Sequence, residues 1–393
     1  MSKKKKKRMA TSCAATSSAP PRPQSPHVGG VPLSSAIGEL LRFVLSSHAS
    51  ANAPDDFPLS PSYCARLLED DGDLCGKLTA GLLQFFEEGR LPGPPAAAGI
   101  PVAEEGAEKR DWEAVLLEKG AELKRMYNAV EFELHVQEPY FTQLKAEAKK
   151  VEGRLATGNY NLITQGSLLL FNKCLLLNVM AVRKYGSFGE MLQAEIISNV
   201  LPGILSIEEG VKVYRKFYTE EKENSYGVLA ISVSKPQDQP YITMTNILVE
   251  LGYDGLRSLL GMAKTVGTVP DGLPPPRSAL ISSCMTLHQP NVIGCSLTDA
   301  ARALAKHVHR STNGWWGNFN GSDSSKNQLA YETIDSLLRE CCWMNVYLTQ
   351  PYGPVFEIRV REGYGARWSE DGSKFIGFLE PYSTEGFAKG WKH

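Results

Sequence analysis

Three absences narrow the chain before any motif is read. No CxxC pair joins any of its eight cysteines, and the only close neighbours are Cys341 and Cys342. That pattern excludes a zinc-ribbon or disulfide framework and reads as thiols used as small apolar residues in a reducing compartment. Charge of one sign is not in excess: 42 Lys and Arg stand against 43 Asp and Glu. A uniformly basic nucleic-acid binder is therefore excluded, and any hold on phosphate has to come from a local patch. Long apolar runs are missing too. The longest, from Cys174 to Val182, is broken by Asn178 and is too short to cross a bilayer. Gly-rich phosphate loops, a nucleophile elbow, a dinucleotide fingerprint and internal repeats are likewise not found. His307 and His309 stand two residues apart on an expected helix and point to different sides, so no metal site and no cofactor are expected.

What is present divides into segments. Residues 1–30 combine the basic run Lys3 to Arg8 with a Ser, Ala and Pro-rich stretch that buries too little to order itself. The basic run suits nuclear import, weak phosphate contact or simple solubility, and the stretch lacks the apolar core of an export signal. The expected location is nucleus, cytoplasm or both. Residues 31–92 form a small helical module, with Ile37, Leu40, Leu41 and Val44 on one stripe and Leu78, Leu82, Leu83, Phe85 and Phe86 on another. Residues 93–110 are a linker by Pro and Gly content. A central domain with flanking helices spans 111–265, a second linker 266–277, and a C-terminal α+β domain 278–393. In the central domain Ser187 with Glu190 and Ser206 with Glu209 are capping boxes that start helices.

The stretch VQEPYFTQLKAEAKKVEGR, residues 136–154, carries the most chemistry. If KKVEGR is a strand, period-2 alternation puts Lys150, Glu152 and Arg154 on one face and Lys149, Val151 and Gly153 on the other. A row of alternating charges is the mark of a solvated edge strand. It is equally a set of recognition groups. Arg154 offers a planar fork for phosphate, Lys149 and Lys150 are point charges, Glu152 accepts from an exocyclic amine, and Tyr140 stacks on an unpaired base.

Residues 133–234 resemble the ASCH family of PUA-like β-barrels. The resemblance rests on QEPYFTQL, KKVEGR, the GSLLLFN strand, YGSFGEMLQAE, VLPG and the EEGVKVYRKFY helix, taken in order. By position the family's lysine falls on Lys149, its glutamate on Glu152 and its arginine on Arg154, while Glu147 stands where the family has glycine. A bend or bulge there would reconcile Lys149 with the alternation. The resemblance implies a barrel with a cleft lined by this motif, RNA or a modified nucleotide as partner, and in some bacterial members an amidohydrolase acting on acetylated cytidine. Lys149 and Glu195 match the lysine and distant glutamate of those enzymes, but Glu152 occupies the place of their threonine. Binding is therefore favoured over hydrolysis.

The C-terminal segment is dense in Trp, Gly, Asn and Arg. Trp315, Trp316, Tyr364, Arg367 and Trp368 define a second candidate binding surface; the alternative is that the tryptophans pack a small core. The sequence thus yields an α+β protein with a central ASCH-like barrel, an N-terminal helical module and a separate C-terminal unit. Its expected function is regulatory binding of RNA or a modified nucleotide. Hydrolysis of an acylated nucleoside is one alternative, and a protein-binding adaptor working through 31–92 and 278–393 is another.

Overall fold

A computed structural model describes residues 26–50, 57–69, 71, 73–89, 112–292, 294, 296–308 and 314–381. The expectations for residues 1–25, the linker 93–110 and His309 lie outside the described residues. The rest falls into two compact units. One holds the strand up to Val28 with Glu131–Phe171 and Leu177–Lys235; the other holds Gly29–Val130, Asn172–Leu176 and the chain from Pro236 onward.

Four helices open the second unit: α1 (Leu33–Ala49), α2 (Pro61–Leu67), α3 (Leu74–Glu88) and α4 (Trp112–Asn128). The apolar stripes read from the sequence become its core, with Ile37, Leu40, Leu41, Leu78, Leu82 and Phe85 fully buried. Burying such stripes against one another is what stabilises helices of this length. Ser60 starts α2 and Asp73 starts α3 by accepting from the backbone N–H of Tyr63 and Gly76. The helix α4 packs on α3 and α1.

The first unit is built on a curled half-barrel. Its strands are β1 (His27–Val28), β2 (Phe132–Leu134), β3 (Val151–Leu155), β4 (Leu168–Phe171), β5 (Leu175–Tyr185) and β6 (Val228–Ser234). They are ordered β1-β2-β4-β5-β6-β3, with β2 parallel to β4 and the β5, β6, β3 pairs antiparallel. The expected barrel does not close, because β1 and β3 are the two edges. The β4–β5 turn uses Asn172 and Lys173, both at positive φ, as a two-residue hairpin of right-handed twist demands. Between strands lie α5 (Tyr140–Lys145), α6 (Phe188–Ala194), α7 (Ile197–Val200), α8 (Ile207–Arg215) and α9 (Glu220–Tyr226). Both serines cap their helices: Glu190 donates its backbone N–H to Ser187 Oγ at 3.1 Å, and Glu209 to Ser206 Oγ at 3.2 Å, while the Glu190 carboxylate accepts from Gly186 N and not from the cap residue itself. Phe188, stacked on Tyr214 with ring centroids 4.1 Å apart, centres the core between these helices and the sheet.

The second unit resumes with α10 (Pro240–Leu259), which breaks helical geometry at Gly252 and packs on α4 and α1. Residues 266–276 of the second linker run without regular structure but are docked. Val269 donates to Val346 O at 2.9 Å and Leu273 is fully buried. Proline and glycine composition reports the lack of regular structure, not the lack of docking. Three helices follow, α11 (Arg277–Met285), α12 (Asp299–His307) and α13 (Asp323–Glu340), and then the strands β7 (Trp343–Thr349), β8 (Gly353–Arg359), β9 (Gly365–Ser369) and β10 (Phe375–Leu379). The four form one antiparallel sheet in the order β10-β9-β8-β7. One face, with Phe356, Ile358, Ala366 and Trp368, is buried toward the helices: Trp368 Nε1 donates to Leu280 O of α11 at 3.2 Å. The described cysteines are free thiols, and no helix is long and apolar enough to cross a membrane among the described residues.

Candidate functional site

The KKVEGR segment is an edge strand, but not a solvated one. All five residues of β3 are buried, since α7 and α9 pack against the strand and Tyr214 lies over Gly153. A Cβ at Gly153 would sit 2.4 Å from the Tyr214 hydroxyl, so this position has room only for hydrogen. Glu147, where the family has glycine, takes a φ of 58°. The chain turns there, and β3 begins only at Val151, so simple alternation does not reach back to the lysines. Lys149 N donates to Gln143 O and Lys150 N to Asn199 O, which sends the Lys149 side chain inward and the Lys150 side chain to solvent. Plain alternation puts Lys150 with Glu152 and Arg154, whereas the family resemblance puts Lys149 there by a bend at Glu147. The structure places Lys149 there.

Lys149, Glu152 and Arg154 form a buried ionic triad. Lys149 Nζ is 3.2 Å from Glu152 Oε2 and Arg154 Nε is 2.8 Å from Glu152 Oε1. An ammonium has three N–H groups, and here they meet three partners: Glu152, Val151 O at 2.8 Å and Val200 O at 2.5 Å. Arg154 donates further to His135 O at 2.7 Å and to the Tyr160 hydroxyl at 3.3 Å. Burial alone would push the Glu152 carboxyl up, but Lys149 and Arg154 outweigh it and hold it below the ordinary carboxylate range. Burial lowers the Lys149 ammonium despite Glu152. For Arg154 burial again opposes the charge, and Glu152 more than restores it. Tyr140 is half-buried with its ring 5.8 Å from Lys149 Nζ, and burial raises its phenol. The triad is an internal frame whose outer neighbours are Tyr140 and Lys150.

Because the Glu152 carboxyl is held down in the folded chain, it contributes stability that is fully present above the unfolded value of about 4.5. That contribution is lost as pH falls through the folded value. Denaturant midpoints followed from pH 7 downward are therefore expected to stay level to about pH 5 and then fall; a flat profile to pH 3 would show that the triad carries no such linkage.

Glu195 does not join the triad. Its carboxylate is engaged by Arg183 through two hydrogen bonds of 2.5 Å and by the Tyr185 hydroxyl at 2.6 Å, and the Arg183 bond first of all lowers its pKa. No hydrogen bond or ion pair links it to Lys149, so the lysine and distant acid expected to act together are separately satisfied.

In the second unit the expected aromatic surface is mostly interior. Trp316 is 1% exposed and Trp368 fully buried, while Trp315 and Tyr364 are half-buried and stacked at 4.1 Å. Trp368 belongs to the core because alternation on β9 sends Ala366 and Trp368 toward the helices and Arg367 to the opposite face. Arg367 belongs there to a group that sequence reading missed. Glu357 Oε1 is 2.6 Å from Arg359 Nε, and Glu357 Oε2 is 2.6 Å from Arg367 Nη2 and 2.5 Å from the Tyr347 hydroxyl. The signal was available: Glu357 and Arg359 stand at i and i+2 in a run that otherwise reads as apolar strand. Burial would raise the Glu357 carboxyl, but Arg359 and Arg367 hold it down. Apart from this group, His307 Nδ1 lies 2.5 Å from Glu380 Oε1. No group of three or more His, Cys, Asp or Glu able to hold a metal occurs among the described residues.

Two family models match the chain. One is the ASCH domain, over residues 134–237. The other is the CdiA C-terminal tRNase toxin domain, over residues 288–380. Among solved structures the chain is similar to the hypothetical protein PH0355, at 48% identity over 26% of this chain and 97% of that one, with a TM-score of 0.26. It is also similar to protein PF0455 from Pyrococcus furiosus, at 45% identity over 27% and 97%, with a TM-score of 0.25. No curated protein matches it.

Proposed function

This chain belongs to the ASCH-domain family through residues 134–237, and we propose that it is an RNA-binding protein of RNA metabolism whose two units both engage RNA, with transfer RNA the favoured class. The observation that carries this reading is that an ASCH domain, which suggests RNA binding, and a match to a tRNase domain occur in one chain. In the ASCH unit the triad shapes the surface from beneath, and contact with RNA falls to the exposed Lys150 and the half-buried Tyr140. A lysine supplies the salt-sensitive phosphate contact and a tyrosine a face for an unpaired base. Binding is favoured over amide hydrolysis because all three protons of Lys149 are engaged and Glu195 is held by Arg183. The Lys149 ammonium carries no lone pair to act as a base, and Glu195 is engaged by Arg183 and Tyr185 and not paired with Lys149. The basic run Lys3 to Arg8 supports a nuclear or nucleocytoplasmic address.

The full chain is expected to bind mixed tRNA and single-stranded RNA with an affinity that falls steeply as salt rises. Lys150→Ala is expected to weaken binding to different sequences uniformly and to lower the slope of log K against log salt by about one. Fluorescence anisotropy over a salt series checks this. The absence of salt-dependent binding by the unaltered chain would overturn the reading.

A further inference from the structure

The two buried ionic groups look alike in composition but differ in what they leave unused. In the ASCH unit every proton of Lys149 has a partner, both terminal nitrogens of Arg154 donate, and the donor left without a hydrogen bond, Arg154 Nε, is buried. On the C-terminal sheet the corresponding group is Glu357, Arg359 and Arg367. Glu357 and Arg359 alternate along β8, and Arg367 stands opposite Glu357 on β9, so the three share the face turned away from Phe356, Ile358 and Trp368.

Counting donors on that face gives a remainder. Arg359 uses Nε for Glu357 and Nη1 for the carbonyls of Gly363 and Glu380, at 2.6 and 2.9 Å. Arg367 uses Nε and Nη2 for Glu357, and Nη2 also for the Tyr347 hydroxyl at 2.8 Å. Arg359 Nη2 and Arg367 Nη1 have no acceptor among the described residues. Neither is among the buried polar atoms that lack a partner, so both keep access to solvent. The side chains carrying them are nine-tenths buried, at 11% and 10% exposure. Two guanidinium charges against one carboxylate leave a net +1 in the group. Glu357 and Tyr347 fix both planes, so little side-chain entropy remains to be lost when an anion arrives. Two preoriented N–H groups beside an uncompensated positive charge match the oxygens of a phosphodiester.

We propose that Arg359 and Arg367, held by Glu357 and Tyr347 on this face of the C-terminal sheet, bind a backbone phosphate of RNA. The assignment of the phosphate to RNA rests on the function proposed above; the anion site itself rests on the donor count. Glu357 is a positioning residue, since its carboxylate is enclosed by the two arginines and the tyrosine.

The test uses the full chain and two probes. With labelled mixed tRNA, Arg367→Gln is expected to weaken binding about tenfold and to lower the salt slope by about one, with partial rescue by Arg367→Lys. With inorganic phosphate and the unaltered chain, the side-chain nitrogen resonances of Arg359 and Arg367 are expected to shift together and to saturate. This second arm decides the matter if the variants fail to fold. Unshifted arginine resonances, or unchanged tRNA affinity in a folded Arg367→Gln chain, would overturn the site. If Lys150→Ala weakens tRNA binding while Arg367→Gln does not, this proposal fails and the RNA reading stands. If the chain binds no RNA yet the arginines respond to phosphate, the anion site stands and the RNA reading fails.

Discussion

Glu152→Ala is expected to destabilise the ASCH unit by about 3–5 kcal/mol, because it leaves two cations buried without their shared counter-charge. Lys149 and Arg154 are 3% and 5% exposed, so water cannot replace the lost carboxylate. The carbonyls of Val151, Val200 and His135 remain, but they satisfy hydrogen bonds and not net charge. Arg154→Ala removes a cation instead and brings the group to neutrality, so its cost is expected to be smaller. The order of the two variants is therefore diagnostic. Chemical denaturation followed by a probe in the first unit measures it, and a loss below about 1 kcal/mol for Glu152→Ala would mean that the group is solvated in solution. This ordering also warns that lost RNA binding in an Arg154 variant reports the frame before it reports contact.

Trp368→Ala is expected to cost about 3–5 kcal/mol, the range for truncating a large aromatic in a core. The side chain is fully buried, its indole donates to Leu280 O, and its ring meets Phe375 at 5.6 Å between centroids. Trp315→Ala is the contrast. That ring is half-buried and stacked on Tyr364, so a much smaller loss is expected. Denaturant midpoints of the two variants check the pair. Weakened RNA binding at unchanged stability in Trp368→Ala would restore this residue to a binding surface.

Much of the architecture was legible because it depends on local pattern. The stripes of α1 and α3, the caps at Ser187 and Ser206 and the ordered ASCH motifs are all statements about neighbours in sequence. The strand β9 carries no such local mark, because Gly363 and Gly365 break its pattern. It is a strand because it pairs on both sides, with β8 and β10, and Gly365 is required where a Cβ would meet Ile358 O at 2.1 Å. That requirement comes from the β8–β9 pairing, which brings Ile358, seven residues earlier, against Gly365.

The same division holds for the candidate sites. Sequence by itself marked a charged row in KKVEGR, with Lys149 and Lys150 both candidates beside Glu152 and Arg154. Only the tertiary structure decided that the row is interior, that Lys149 and not Lys150 completes it, and that Glu195 is engaged elsewhere. Burial and the count of satisfied donors depend on which segments pack over a strand. For β3 those segments begin more than forty residues away, at α7 and α9. The arginine group on the C-terminal sheet shows the reverse case. Its members are ordinary residues of two strands until the register of β8 against β9 sets Glu357 opposite Arg367. A charge in sequence is a donor or an acceptor in general; its partners, and what they leave over, exist only once the chain has folded.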